Sequence, residues 1–268
     1  MPPDRRVCRI RRFDPSSMKP HSICMVVARR GSGKTTLMKD ILYHQRHNLD
    51  FAVGICPTIG AAEMMRTCMP RSCVYDHLAP RKIDEIVDTA QGLVAAGKTR
   101  GIVVVLDDCV YDKSFFKSTA MRSIFFNGRH FRITLLLASQ YVVSVGPELR
   151  AQVDYVFALR DPVLANRVNL HKMFFGCFNT FDDFNSAFEQ CTQNYECLVL
   201  DNTVHSNAAS DCVAWYKAST SLPDFKVGRR VFYTMEERAL RVDDEPRPHS
   251  SPEDRYNGRP RLHVIKEE

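Results

Sequence analysis

The chain has 268 residues, 44% of them hydrophobic and 25% charged, the balance of a folded globular protein, which excludes a disordered or fibrous chain. Lys and Arg number 37 against 31 Asp and Glu, a net charge of +6; this permits a polyanionic partner and does not demand one. At roughly 150 residues per domain, the length allows one large domain or two small ones.

Residues 1–20 carry Arg5, Arg6, Arg9, Arg11 and Arg12 among prolines and predict an extended basic N-terminal arm. Their charge is the reverse of a secretory signal's apolar stretch. Residues 23–28 read as a short apolar strand, followed by a Gly-rich turn and a helix to about Gln45. A second strand covers 51–56 and is closed by Pro57. Over 81–96, Ile83, Ile86, Val87, Ala90, Leu93 and Val94 recur at spacings of three and four, one face of an amphipathic helix. Residues 101–106 form a continuous Val-rich run, as expected of a strand buried on both faces of a parallel sheet. A helical stretch over 114–128 precedes strands at 133–138 and 153–159, with further strands at 196–200 and 212–216. Strands separated by helices imply right-handed crossovers and a mostly parallel sheet.

A single folded domain is therefore expected over 21–235. From about Arg241, Pro246, Pro248, Pro252 and Pro260 alternate with charges of both signs. The segment 236–268 is set apart as a charged, Pro-rich tail, expected to be disordered. No apolar run approaches the roughly 20 residues of a membrane-spanning helix. Ten cysteines in a chain with its own core and no export signal point to a reducing compartment. Cys24, Cys56 and Cys109 fall in or beside apolar runs, where Cys packs as a small hydrophobe. The pairs Cys68/Cys73 and Cys191/Cys197 are spaced too loosely for a zinc knuckle.

The sharpest local pattern is Ala28-Arg29-Arg30-Gly31-Ser32-Gly33-Lys34-Thr35-Thr36. It fits the phosphate-loop form G-x-x-x-x-G-K-[ST], with Ala28 where the first Gly is usual. A strand runs into it and a helix leaves it. Glycines at 31 and 33 let the backbone curl so that successive N–H groups face a phosphate, and the helix aims its positive end at the same place. Arg30, Gly31, Ser32, Gly33, Lys34, Thr35 and Thr36 are thus expected to bind a nucleotide. Lys34 would bridge the β- and γ-phosphates and the Thr35 hydroxyl would ligate Mg²⁺.

The strand at 101–106 ends in Asp107-Asp108. Asp107 is expected to hold Mg²⁺ and Asp108 to accept a proton from the attacking water; two adjacent carboxylates at the tip of an apolar strand are costly without a cation. Many ATPases carry Glu at the second position, so Asp108 is the weaker assignment. A third strand ends in Ser139-Gln140, and the Gln140 amide is placed to meet both the γ-phosphate and the water.

The order of phosphate loop, strand ending Asp107-Asp108, Asn127-Gly128-Arg129-His130, strand ending Ser139-Gln140-Tyr141, then Pro147-Glu148-Leu149-Arg150 and Asp154-Tyr155-Val156-Phe157 resembles one family: the genome-packaging ATPases of nucleocytoplasmic large DNA viruses, the poxvirus-type members of the FtsK/HerA class. The match spans 21–235 and includes Phe225-Lys226-Val227-Gly228. The resemblance implies an α/β P-loop NTPase of the ASCE/RecA-like kind, with a mostly parallel central sheet flanked by helices. It implies ATP and Mg²⁺ as cofactors and a homo-oligomeric ring, pentamer or hexamer, that threads double-stranded DNA into a preformed capsid. A viral capsid or portal-type component is the implied partner, and the host cytoplasm at assembly sites, then the virion, the implied location. In such rings an Arg from the neighbour completes each site, since charge developing on the transferred phosphoryl group needs a cation. Arg129 is favoured here, before Arg150 and Arg122; Arg29 or Arg30 is an alternative in cis. Contact with DNA is expected at phosphates, independent of sequence, through the loop after Gln140 and the basic patches at 5–12 and 226–230. The alternatives are a nucleoside or nucleotide kinase on the same core and a non-motor ATP-binding assembly factor; the chain has no Arg-rich lid in its middle to favour the kinase.

Overall fold

The computed structural model describes residues 8–77, 80–109 and 114–244. In chain order the elements are β1 (Arg11–Arg12), β2 (Ile23–Val27), α1 (Lys34–Gln45), β3 (Phe51–Ile55), α2 (Ile59–Arg66), β4 (Val74–Tyr75), α3 (Pro80–Ala95), β5 (Ile102–Asp107) and α4 (Thr119–Asn127). There follow β6 (Ile133–Ser139), α5 (Pro147–Arg150), β7 (Tyr155–Leu159), α6 (Leu164–Met173), α7 (Phe181–Cys191), β8 (Glu196–Asp201), α8 (Ala209–Cys212), β9 (Val213–Lys217) and α9 (Arg230–Asp244). They build one nine-stranded sheet in the order β1-β9-β8-β7-β2-β6-β5-β3-β4. From β7 to β4 all neighbours are parallel, while β8 runs antiparallel to both β7 and β9. The expected α/β fold with a mostly parallel sheet is the fold observed.

The apolar runs of β2 and β5 make sense in this position. Successive side chains of a strand face opposite ways, and both faces of the sheet are covered. Val103 and Val105 pack with Leu37, Met38 and Ile41 of α1 and with α2. Val104 and Leu106 pack on the other face with Ile83, Ile86 and Val87 of α3 and with Ile124 of α4. No polar side is left to alternate. Cys24, Cys56 and Cys109, read as small hydrophobes, are buried in these layers. The helix expected over 114–128 is broken at Ser118: a 3₁₀ turn at Phe115–Lys117 comes first, and Ser118 Oγ then caps α4 by accepting from the Met121 amide at 3.3 Å.

Both ends depart from expectation. The described part of the arm is docked: β1 pairs with β9, the Phe13 amide donates to the Trp215 carbonyl at 2.8 Å, and the Phe13 ring lies against Tyr155, Phe157 and Tyr216. Phe13, Pro15 and Met18 are buried, so apolar anchoring decides the path of a segment whose arginines suggested independence; residues 1–7, with Arg5 and Arg6, lie outside the described residues. At the other end, the tail set apart from residue 236 begins inside α9. That helix is held by Phe232 against Phe51, with ring centroids 4.6 Å apart, and by the Tyr233 hydroxyl near the Cys68 and Val227 carbonyls. Residues 245–268 lie outside the described residues. Among the described residues no helix is long and apolar enough to cross a membrane.

Candidate functional site

β2 lies at the centre of the sheet, between β6 and β7, and its carboxyl end opens into residues 28–33. The carboxyl ends of strands at such a crossover point are where open α/β sheets bind ligands. Gly31 and Gly33 have φ of +78° and +91°, the left-handed region that side chains disfavour. Ala28 does not adopt it. Its amide donates to the Ser139 carbonyl at 3.0 Å and its methyl is buried, so Ala in place of Gly leaves the loop intact. Gly33 directly precedes α1, whose first residues are Lys34 and Thr35.

Three strand tips, those of β2, β5 and β6, and α1 bring the expected residues together. Lys34 and Asp107 are almost fully buried, at 7% and 1% exposure. Lys34 Nζ lies 3.1 Å from Asp107 Oδ1 and also pairs with Asp108 Oδ2. Thr35 Oγ1 donates to Asp107 Oδ2 at 3.3 Å, and Gln140 Nε2 donates to Asp108 Oδ2 at 3.3 Å. Asp108 has φ +55°, which turns the chain sharply after β5 and lets two successive carboxyls face one cleft. Burial raises the Asp107 carboxyl's affinity for a proton, and the Lys34 ammonium opposes this only in part. The cleft, of about 420 Å³, is lined by Arg30, Gly31, Gly33, Lys34, Thr35, Thr36, Asp107, Asp108 and Gln140, with Thr58, Ala61 and Met64 closing the side. Thr58 was not read from the sequence; its only signal is its place just after the strand-ending Pro57. Ser32 holds the loop in shape, its hydroxyl donating to the Arg29 carbonyl at 2.6 Å.

The residues present fit a magnesium ion. Asp107 Oδ1 is buried and, although ion-paired with Lys34, has no aligned hydrogen bond; with Thr35 Oγ1 beside it, the donor set is hard oxygen, which suits Mg²⁺.

The arginines expected to act in trans are not brought to this cleft. Arg129 sits at the opposite, amino-terminal edge of the sheet and pairs with Asp154, whose Oδ2 accepts from the Ile23 amide at 2.8 Å. Its side chain is 64% exposed. Arg150 donates to the Val145 carbonyl, and Arg122 pairs with Glu148 at 3.1 Å. Arg29 lies instead on an outer hollow beside the loop, together with Arg160, which has no signal in the sequence because a lone Arg after a strand carries no pattern. The basic patch expected at 226–230 is partly consumed internally: Lys226 Nζ donates to the Thr67 carbonyl at 3.1 Å, and Arg229 pairs with Asp50 at 2.8 Å. Those two charges fasten the C-terminal segment to the domain.

No family profile matches the chain. It is 28% identical over 236 residues to an uncharacterized protein of Acanthamoeba polyphaga mimivirus, covering 84% of this chain and 82% of the relative. It is 32% identical over 202 residues to an uncharacterized protein of Frog virus 3 (isolate Goorha), covering 74% of this chain and 62% of that protein. The structure superposes on the DNA-packaging ATPase of Sulfolobus Turreted Icosahedral Virus with a TM-score of 0.53 at 16% identity, over 75% of this chain and all (100%) of the other. The fold, a mixed α/β layer arrangement on a mostly parallel sheet, is therefore one that this packaging ATPase shares. Its relatives in sequence are proteins of large DNA viruses. The resemblance drawn from the motifs therefore holds for fold and for kin.

Proposed function

We propose that the protein hydrolyses ATP with Mg²⁺ and uses the energy to move double-stranded DNA into a preformed capsid, as a ring of five or six copies. The observation that carries the catalytic part is the buried Lys34 held between Asp107 and Asp108 beneath the curled loop at Gly31 and Gly33. The loop amides and Lys34 bind the triphosphate; Thr35 and Asp107 would hold the Mg²⁺, which neutralises charge on the phosphate oxygens. Gln140 orients a water against the γ-phosphorus. As the water oxygen bonds to phosphorus, its proton passes to Asp108 and the bond to the β–γ bridging oxygen breaks, leaving ADP and phosphate. Lys34 leaves its carboxylate partners for the β- and γ-oxygens when nucleotide enters.

Arg129 is assigned to the neighbouring subunit's nucleotide. Its place at the amino edge prevents it from reaching its own loop, and its exposure supports a role across an interface. The DNA is held at its phosphates, without reading bases, because a pump has to move along any sequence. The capsid partner is a portal-type component, and the site of action is the host cytoplasm where virions assemble, then the virion itself.

Phosphate release is measured with and without linear duplex DNA and, separately, with nucleosides as acceptor. Turnover raised by duplex DNA, together with particle mass showing a ring when ATP is present, is the expected result. Transfer of phosphate to a nucleoside, with no response to DNA, overturns the motor reading in favour of a kinase; binding of ATP without any turnover overturns it in favour of an assembly factor.

A further inference from the structure

The nucleotide cleft continues past the phosphate loop. A second hollow of about 690 Å³ opens beside it, with Arg29, Arg30, Ser32, Tyr141, Arg160 and Tyr195 in its lining. Arg30, Gly31 and Gln140 line both hollows, so the two form one trough crossing the loop. The inner part holds the ionic groups already assigned to the triphosphate. A nucleotide bound there by residues 31–35 places its base within its own length of Gly33, a reach that takes in the outer part.

Tyr195 stands at that place. It lies in the turn between α7 and β8 and is 70% exposed. Its ring reaches the loop so closely that a Cβ on Gly33 would meet Tyr195 Cδ1 at 3.2 Å. Among the described residues its ring stacks on no other aromatic ring and its hydroxyl has no polar partner. Its backbone is held at φ +64°, directly after Asn194 at φ +51°. Two successive left-handed residues without glycine are costly, most of all for an aromatic, and such strain is retained where a site needs a side chain in a set position. Large exposed apolar rings also lose solvent contact on binding a flat partner.

We infer that Tyr195 is the stacking platform for the purine base of the nucleoside triphosphate, with the Arg29 and Arg160 guanidiniums at the rim of the same trough. The inference rests on the nucleotide reading of the loop and adds to it the part of the ligand beyond the phosphates. The Asn166 amide, which also lines the trough, is already engaged with Asp161 at 2.8 Å. Stacking needs no hydrogen-bonding partner from Asn166, and a face that grips by π contact is tolerant of which base it holds.

Two probes separate the parts of the site: ATP, and inorganic tripolyphosphate, which has no base. Calorimetry with each is carried out on the wild type, Tyr195→Ala and Tyr195→Phe, with circular dichroism to confirm folding; the exposure of Tyr195 makes both variants compatible with the fold. The expected result is a loss of ATP affinity of about tenfold in Tyr195→Ala, with tripolyphosphate affinity unchanged and Tyr195→Phe close to wild type. Equal ATP affinity in Tyr195→Ala and wild type overturns the inference. Equal losses for ATP and tripolyphosphate also overturn it, because Tyr195 then shapes the loop against Gly33 and does not touch the base. Failure of the wild type to bind either probe is a different result: it overturns the nucleotide reading of the loop, and this inference with it.

Discussion

Asp50 and Asp107 are both buried, at 4% and 1% exposure, and they lie at opposite edges of the sheet. Asp50, at the amino edge, accepts from the Arg100 amide at 2.7 Å, from Arg100 Nε at 3.2 Å and from Arg229 Nη2 at 2.8 Å. Burial works to raise its proton affinity, but the Arg229 hydrogen bond and the two guanidinium charges outweigh it, and its carboxyl titrates below the usual range. Asp154 at the same edge is likewise satisfied, by Arg129 and by the Ile23 amide. Asp107, at the carboxyl edge, has one oxygen without an aligned hydrogen bond and titrates above the usual range. The amino edge uses acids to close the fold. The carboxyl edge keeps an acid under-satisfied, and a buried polar group left short of partners is held in readiness for a ligand.

The largest effect that tests this contrast comes from Asp107→Asn. Mg²⁺-dependent hydrolysis is lost, while the Tm stays the same or rises, since removing one of two clustered carboxylates leaves Lys34 paired with Asp108. A clear drop in Tm would make Asp107 a structural acid like Asp50 and break the distinction. Next comes Arg129→Ala, measured in the assembled ring: nucleotide binding is retained and turnover falls about 10³-fold. The same change costs the isolated chain less than about 1 kcal/mol, because the pair with Asp154 is largely exposed on the Arg side. Wild-type turnover in that variant would leave Arg129 with only its pairing role at the amino edge.

A smaller effect is expected from Asp50→Asn, about 2 kcal/mol of stability, reduced from the value of a fully enclosed pair because Arg100 and Arg229 reach solvent. Denaturant unfolding checks it, with ATP binding as the control that should not move. The smallest is a divergence with pH. The folded-state proton affinity of Asp50 is lowered, so its stabilisation is present above the ordinary carboxylate value of 3.8 and is lost as pH falls through the lower folded value. For Asp107 the folded value is raised above 3.8, so the cost of its buried charge disappears as pH falls through that raised value, and Mg²⁺ affinity falls over the same range. Thermal unfolding of the two Asn variants against the wild type, from neutral pH down to well below the ordinary carboxylate value of 3.8, should show differences of opposite slope, that of Asp107 at the higher pH and that of Asp50 at the lower. Parallel curves would mean that the two acids are treated alike.

Much of the site was readable in order of sequence because its parts are local. A strand, two glycines and Lys34-Thr35 state a phosphate loop within nine residues, and Asp107-Asp108 and Gln140 each announce themselves by ending an apolar strand. Asp108's left-handed backbone and the Gln140 contact to it were not readable, since both depend on β5 and β6 lying side by side. Arg129 was singled out by its block, yet its partner Asp154 is 25 residues away and only the fold shows which edge it occupies. Tyr195 and Arg160 carry no pattern at all. They reach the loop because β7 and β8 fall on its far side.

What the sequence determined by itself is what neighbouring residues can express: buried strands from continuous apolar runs, helices from their spacing, and a loop whose glycines permit one curl. Tertiary structure alone decided which charges were spare. Lys226, Arg229 and the arginines of the N-terminal segment look alike as a string of basic residues. Whether each meets a carboxylate, a carbonyl or water depends on long-range packing, such as Phe13 among Tyr155, Phe157 and Tyr216 or Phe232 on Phe51. The free energy of a charge is set by its surroundings, and those are assembled from residues far apart in the chain.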